Sequence, residues 1–113
     1  MDEEANAAVG GPTMMDRVNE EFERIALADK IQSAGFDPDC VVRFDCPSFD
    51  DAAVGMTSDG RLVYDYELMI KSMARKDGIS EEDAMEFIDY NTIRSIPYAG
   101  ENAPVVMFRF DRP

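Results

Sequence analysis

The tetrapeptide Thr57-Ser58-Asp59-Gly60, set between the runs 52–56 and 61–64, constrains this chain more than any other feature. Asp-Gly supplies the positive φ that a tight hairpin needs, so the two flanking runs read as antiparallel strands. Behind the hairpin the period changes from two to about 3.6. Asp65 is placed to cap a helix running to about Lys76 with Tyr66, Met69, Ile70 and Met73 on one face, and Asp77-Gly78 closes it. Ser80, with Asp83 three residues on, caps a further helix from Glu81 to about Ser95, which Ile96-Pro97 ends. The alternating run 104–110 then predicts a strand with Val106, Phe108 and Phe110 on one side, returning to the sheet of the hairpin.

The first half is less regular. Residues 1–12, which end in Gly10-Gly11-Pro12, read as a mobile tail, and residues 13–113 as a single domain. Thr13 followed by Asp16 predicts an N-cap for a helix reaching about Ser33. That helix carries two apolar faces: Met14, Met15, Val18, Phe22, Ile25 and Ala26 on one, Leu27, Ile31 and Ala34 on nearly the other. Either the helix breaks near residue 28, or it stays straight and grips its own core with one face and a second copy of the chain with the other. On the second reading Leu27 and Ile31 are the dimer contacts. Cys40–Phe44 is β-prone between the breakers Asp37-Pro38 and Cys46-Pro47. The expected fold is therefore α+β, a small, mostly antiparallel sheet of three or four strands covered by about three helices.

On the last helix Ala84, Phe87, Ile88, Asn91 and Ser95 share one face, which places an amide within the apolar stripe. A buried amide needs partners, and the turn-rich segment from Pro97 to Asn102 can supply them, so Asn91 reads as a structural clamp on the returning chain. The competing reading makes Asn91, with Arg94 and Tyr98, the lining of a small anion pocket.

Charge sets the class of function. The 113 residues hold 24 Asp and Glu against 11 Lys and Arg, a net charge of −13. Residues 1–60 carry fourteen acids and four bases, and residues 61–113 carry ten and seven. Such a field repels nucleic acid, so direct binding to DNA or RNA is not expected. The absence of histidine removes the commonest general base, and no nucleophile, metal-ligand or cofactor motif replaces it; the expectation is a binding protein, not an enzyme, with no metal and no cofactor. No run of membrane-spanning length and no secretory pattern is seen, so Cys40 and Cys46 read as reduced thiols of a cytoplasmic protein.

The run 61–106 resembles a family of short proteins encoded by phages and prophages of gut bacteria. The likeness rests on Tyr64-Asp-Tyr66, on Asp77-Gly-Ile-Ser-Glu-Glu82, on Asp89-Tyr-Asn-Thr-Ile-Arg94 and on Gly100-Glu-Asn-Ala-Pro104. The resemblance brings no activity and no catalytic residues with it; it implies a phage or mobile-element accessory protein. In that context the acid series Asp37, Asp39, Asp45, Asp50, Asp51 and Asp59, relieved only by Arg43, reads as a surface that imitates the phosphates of a nucleic acid. The partner expected is a protein with a basic groove, such as a host nucleic-acid-binding complex, blocked in the manner of an anti-CRISPR protein. The alternative is an oligomeric interaction module without mimicry.

Overall fold

The computed structural model describes residues 14–111 apart from Cys46, with residues 14–20 described as backbone only. The predicted tail and the Thr13 cap lie outside the described residues. Among the described residues, three helices and a three-stranded sheet make up an α+β fold. Helix α1 spans Met14–Ser33, strands β1 and β2 span Ala53–Met56 and Leu62–Asp65, helices α2 and α3 span Tyr66–Asp77 and Glu81–Phe87, and strand β3 spans Val105–Met107. Single turns of 3-10 helix lie at Pro38–Cys40, Asp50–Ala52 and Ile96–Ala99.

The hairpin forms as its turn predicts. Gly60 has φ 88°, its N–H donates to the Thr57 carbonyl at 3.1 Å, and the Thr57 N–H donates to the Arg61 carbonyl at 2.8 Å. Ala53 pairs with Tyr64 and Gly55 with Val63, so Val54 is the extra residue of a β-bulge. The sheet order is β1-β2-β3, and β2 pairs with β3 in parallel, with Val63 opposite Val105. The sheet is thus mixed. Two helices intervene between β2 and β3, and a crossover of that kind brings the chain back to run in the same direction. The last strand is also shorter than its alternation suggests: Phe108 and Phe110 lie beyond it and are exposed, although the Phe108 ring stacks on Tyr66 at 4.4 Å. Cys40–Phe44 is not a strand, because Asp37 caps a 3-10 turn through Asp39 N–H at 3.0 Å and the chain leaves it as coil.

Asp65 terminates β2 and begins α2. One carboxylate oxygen accepts the Leu68 N–H at 3.2 Å and the other holds Arg109 Nε at 2.7 Å, so a single buried side chain ties the central strand, the helix N-terminus and the C-terminal segment. Gly78, at φ 69°, closes α2, and Ser80 Oγ accepts the Asp83 N–H at 3.0 Å to open α3.

The core is built from Leu62 and Tyr64 of β2, Met69, Ile70 and Met73 of α2, Ala84 and Ile88 from the α3 region, Phe49 and Ala52 from the Asp50–Ala52 turn and its approach, and Leu27 and Ile31 of α1. This corrects the assignment of the α1 faces. The helix is continuous from Met14 to Ser33, Leu27 and Ile31 are 4% and 1% exposed within one chain, and they are core residues, not dimer contacts. Phe22 and Ile25, at 66% and 54%, face outward. The reason is what lies beneath: α1 packs on the 3-10 turns at Pro38–Cys40 and Asp50–Ala52, and these meet the Leu27–Ile31 side.

Asn91 also stands elsewhere than its spacing suggests. After Phe87 the helix widens into a π turn over Ile88–Ile93, which rotates the following residues relative to an α-helical wheel. Ile88 and Thr92 are buried as a result, while Asn91 is exposed and donates its Nδ2 to the Phe87 carbonyl at 3.1 Å. It is not a clamp on the return segment; its partner lies within its own helix.

Candidate functional site

The acid series divides into three environments. Asp37 and Asp39 are exposed around the first 3-10 turn, where Asp37 accepts the Asp39 N–H and lies 3.6 Å from Cys40 Sγ. The negative charge of Asp37, with its hydrogen bond, holds the Cys40 thiol above its ordinary pKa; Cys40 is a free, exposed thiol, and Cys46 lies outside the described residues.

Asp45 and Asp59 are exposed but engaged. Arg24 of α1 donates Nη2 to Asp45 Oδ1 at 2.7 Å, and this hydrogen bond holds the Asp45 carboxyl below the usual range and the guanidinium above its own. Asp59 accepts the Thr57 hydroxyl and lies 3.5 Å from Arg61 Nε, and the Thr57 bond is the larger cause of its lowered pKa.

Asp50 is buried, which overturns its placement on an open surface, and Asp51 is exposed but held in a network of ion pairs and hydrogen bonds. The 3-10 turn they open, Asp50–Ala52, packs against both α1 and α2; Asp50 is buried there, while Asp51 stays in part open to solvent. Asp51 accepts the Ser72 hydroxyl at 2.8 Å and Arg75 Nη2 at 2.9 Å, with Lys76 Nζ at 3.7 Å; Lys76 in turn reaches Glu23 of α1 at 3.0 Å. Burial acts to raise the Asp51 pKa, and these partners together outweigh it, so the carboxyl ends below its ordinary value. This is a partly buried network that fastens α1 to α2 through the turn.

Asp50 is different. It is 6% exposed, and among the described residues neither carboxylate oxygen has a hydrogen-bond partner. Burial raises its pKa against the opposing pull of Ser48, Arg43, Arg24 and Lys76. Beside it the Tyr64 hydroxyl, which accepts the Phe44 N–H at 3.1 Å, is pushed up to about 12 chiefly by burial.

The cation that the acid series contains has an unexpected place. Among the described residues Arg43 has no ion pair, and its Nη1 is buried without an acceptor. It lines a cavity of about 540 Å³ with Phe44, Phe87, Asn91, Ser95 and Tyr98. The anion pocket imagined around Asn91, Arg94 and Tyr98 thus has two of its members together, but Arg94 instead lies over the Tyr90 ring at 4.9 Å. The sequence marks Arg43 only as the single base among six acids, and its position opposite the last helix is a long-range fact that no local pattern carries.

Among the described residues, most of the cations are engaged. Arg24, Arg61, Lys71, Arg75, Lys76 and Arg109 each sit in an ion pair, with Lys71 3.6 Å from Glu81. Asp39, Glu82, Asp83, Glu86 and Glu101 are exposed, and among the described residues no cation is paired to their side chains. No described helix is long and apolar enough to cross a membrane. Compared with protein-family models, with curated proteins and with solved structures, the chain finds no significant match in any of the three.

Proposed function

We propose that the protein is a binding protein that docks on a basic surface, of the kind that nucleic-acid-binding machines present, and blocks it by imitating phosphate charge. The observation that carries this reading is the one-sided use of charge: the chain has a net −13, and among the described residues most of the cations lie within ion pairs while Asp39, Glu82, Asp83, Glu86 and Glu101 are exposed without a paired cation. A surface of that kind attracts a basic groove over several ångströms and speeds association. The carboxylates assigned to contact are Asp37 and Asp39 together with Glu82, Asp83 and Glu86 of α3. Asp50 and Asp51 are assigned to the fold, and Asp45 and Asp59 are partly neutralised. The phage-like wording of residues 61–106 is consistent with a host target. Co-elution with candidate nucleic-acid-binding complexes, lost in high salt and lost on addition of a short duplex, tests the reading.

A second reading has its own observation. Phe22 and Ile25 leave an apolar stripe open on α1, the pattern of a helix that meets another protein. On this reading the chain is an assembly module, and its oligomeric state depends on Phe22 and Ile25 rather than on Leu27 and Ile31.

A further inference from the structure

We infer that the outward row of α3 and its π-turn continuation, Glu82, Glu86, Tyr90 and Arg94, is a two-fold interface for a second copy of this chain. The row is defined by its opposite. Ala84, Ile88 and Thr92 recur every four residues and are buried, the last two within the π turn Ile88–Ile93. Glu82, Glu86, Tyr90 and Arg94 keep the same step two residues out of phase, so they stand on the far side of the helix, and all four are exposed. Four residues overshoot an α-helical turn, and the wider π turn draws the row back into line.

The order of charge along the row is self-complementary. Its first half is acidic and its end basic, and among the described residues none of Glu82, Glu86 and Arg94 is in an ion pair. Within one chain Glu86 and Arg94 are two turns apart, about 12 Å along the axis, too far to meet. An antiparallel copy, turned about a two-fold axis at Tyr90, brings Arg94 of each chain to Glu86 of the other and makes two charge-assisted pairs in one contact. The negative end of each helix then lies beside the positive end of the other.

Tyr90 supplies the centre. It is 70% exposed, and Arg94 lies over its ring at 4.9 Å, so the guanidinium is already held on the face where it pairs. Tyrosine and arginine are the residues enriched at the centres of interfaces. On α1, by contrast, the cation beside the Phe22 and Ile25 stripe, Arg24, is already bound to Asp45.

One helix from each copy makes a contact at the small end of interface sizes, so the dimer is weak and reversible. The remainder of a chain of net −13 repels its copy. Salt screens that long-range repulsion, with a Debye length of about 30 Å at 0.01 M and about 8 Å at 0.15 M, while the close pairs lie inside either length. Self-association therefore strengthens over this range of salt, the reverse of docking on a basic groove. Glu82 and Glu86 are also among the carboxylates assigned to docking, so a basic target and the second copy compete for one face.

The test is sedimentation equilibrium of the full-length protein up to about 1 mM. A concentration-dependent dimer is expected at about 0.15 M salt, and a weaker one at about 0.01 M. Arg94→Glu and Glu86→Arg should each weaken it at least about fivefold, because each sets like charges against one another. Combining Glu86→Arg with Arg94→Glu restores the opposite charges and should recover the dimer to within about twofold. Glu86→Arg is the sharper single variant: it makes the chain less negative, so a dimer governed by overall charge would strengthen instead. These positions are exposed, and the melting temperature should not change. Phe22→Glu should leave this dimer in place. A chain that stays monomeric throughout, self-association that the single reversals do not weaken or the double reversal does not recover, or a dimer abolished by Phe22→Glu would overturn the assignment. No partner protein enters the measurement, so the proposed docking function is decided separately.

Discussion

Arg24 on α1 and Asp45 in the loop before the Asp50–Ala52 turn are joined by a 2.7 Å hydrogen-bonded ion pair across 21 residues of sequence. The pair is exposed on both sides, so it screens a carboxylate more than it fastens the fold. Arg24→Gln should leave the melting temperature almost unchanged. It should also return the Asp45 carboxyl toward its ordinary pKa, visible in an NMR titration, and raise the rate of association with a basic partner. A large loss of stability would instead make the pair structural.

Asp50 gives a pH prediction with a definite sign. Its folded-state pKa is raised, chiefly by burial, so the folded protein binds a proton more readily than the unfolded chain. Between the unfolded value, about 3.9, and the raised folded value, stability falls as pH rises. Asp50→Asn removes that loss and should melt higher than wild type at pH 7. The gap should close as pH falls toward about 4. Asp45, Asp51 and Asp59 act oppositely: their lowered values contribute stability above the unfolded pKa that is lost as pH falls through the folded one. Melting curves of both proteins from neutral to acid pH check the difference.

The two faces of α1 should respond in opposite ways. Leu27→Ala opens the core and should cost about 2–5 kcal/mol in chemical denaturation. Phe22→Glu changes an exposed position and should leave the fold intact; if the chain self-associates through that stripe, sedimentation should show the variant as a folded monomer. A wild type that sediments as a monomer removes the assembly reading.

Asn91→Ala should cost no more than about 1 kcal/mol, because one exposed hydrogen bond to its own helix is lost. Ile88→Ala, one turn earlier and buried, should cost about 2–5 kcal/mol. Equal effects in denaturant would mean that the amide carries more than the π-turn geometry assigns to it.

These contrasts mark where local chemistry was legible. The Asp59-Gly60 turn, the Asp65 and Ser80 caps and the Gly78 terminus depend on neighbouring residues, and each forms at its expected place. The α1 faces do not depend on neighbours. Both carry enough apolar area, and only the position of the distant Asp50–Ala52 turn decides that Leu27 and Ile31 go inside. The π turn defeats a 100° wheel because it advances the chain by more residues per turn, so Thr92 takes the interior position that the wheel gives to Asn91. Asp50 and Asp51 look like exposed acids in a polar loop, and only long-range packing against α2 and α1 reveals one as buried and the other as a network centre. The cavity was half legible: the sequence groups Asn91 and Tyr98, while the cation that lines it with them, Arg43, comes from the other half of the chain.

The most direct measurement is the association rate between this protein and a candidate nucleic-acid-binding complex as a function of salt. Screening shortens to about 10 Å at 0.1 M and further above it, so steering by free carboxylates should weaken steeply over that range. Asp39→Lys and Glu82→Lys should slow association severalfold at low salt with unchanged melting temperature, and a short duplex should compete for the same groove. Asp50→Lys is unsuited to this purpose, since it places a charge in the core. Binding that survives high salt, both charge reversals and excess duplex would contradict phosphate mimicry and move the interface to the apolar stripe of Phe22 and Ile25.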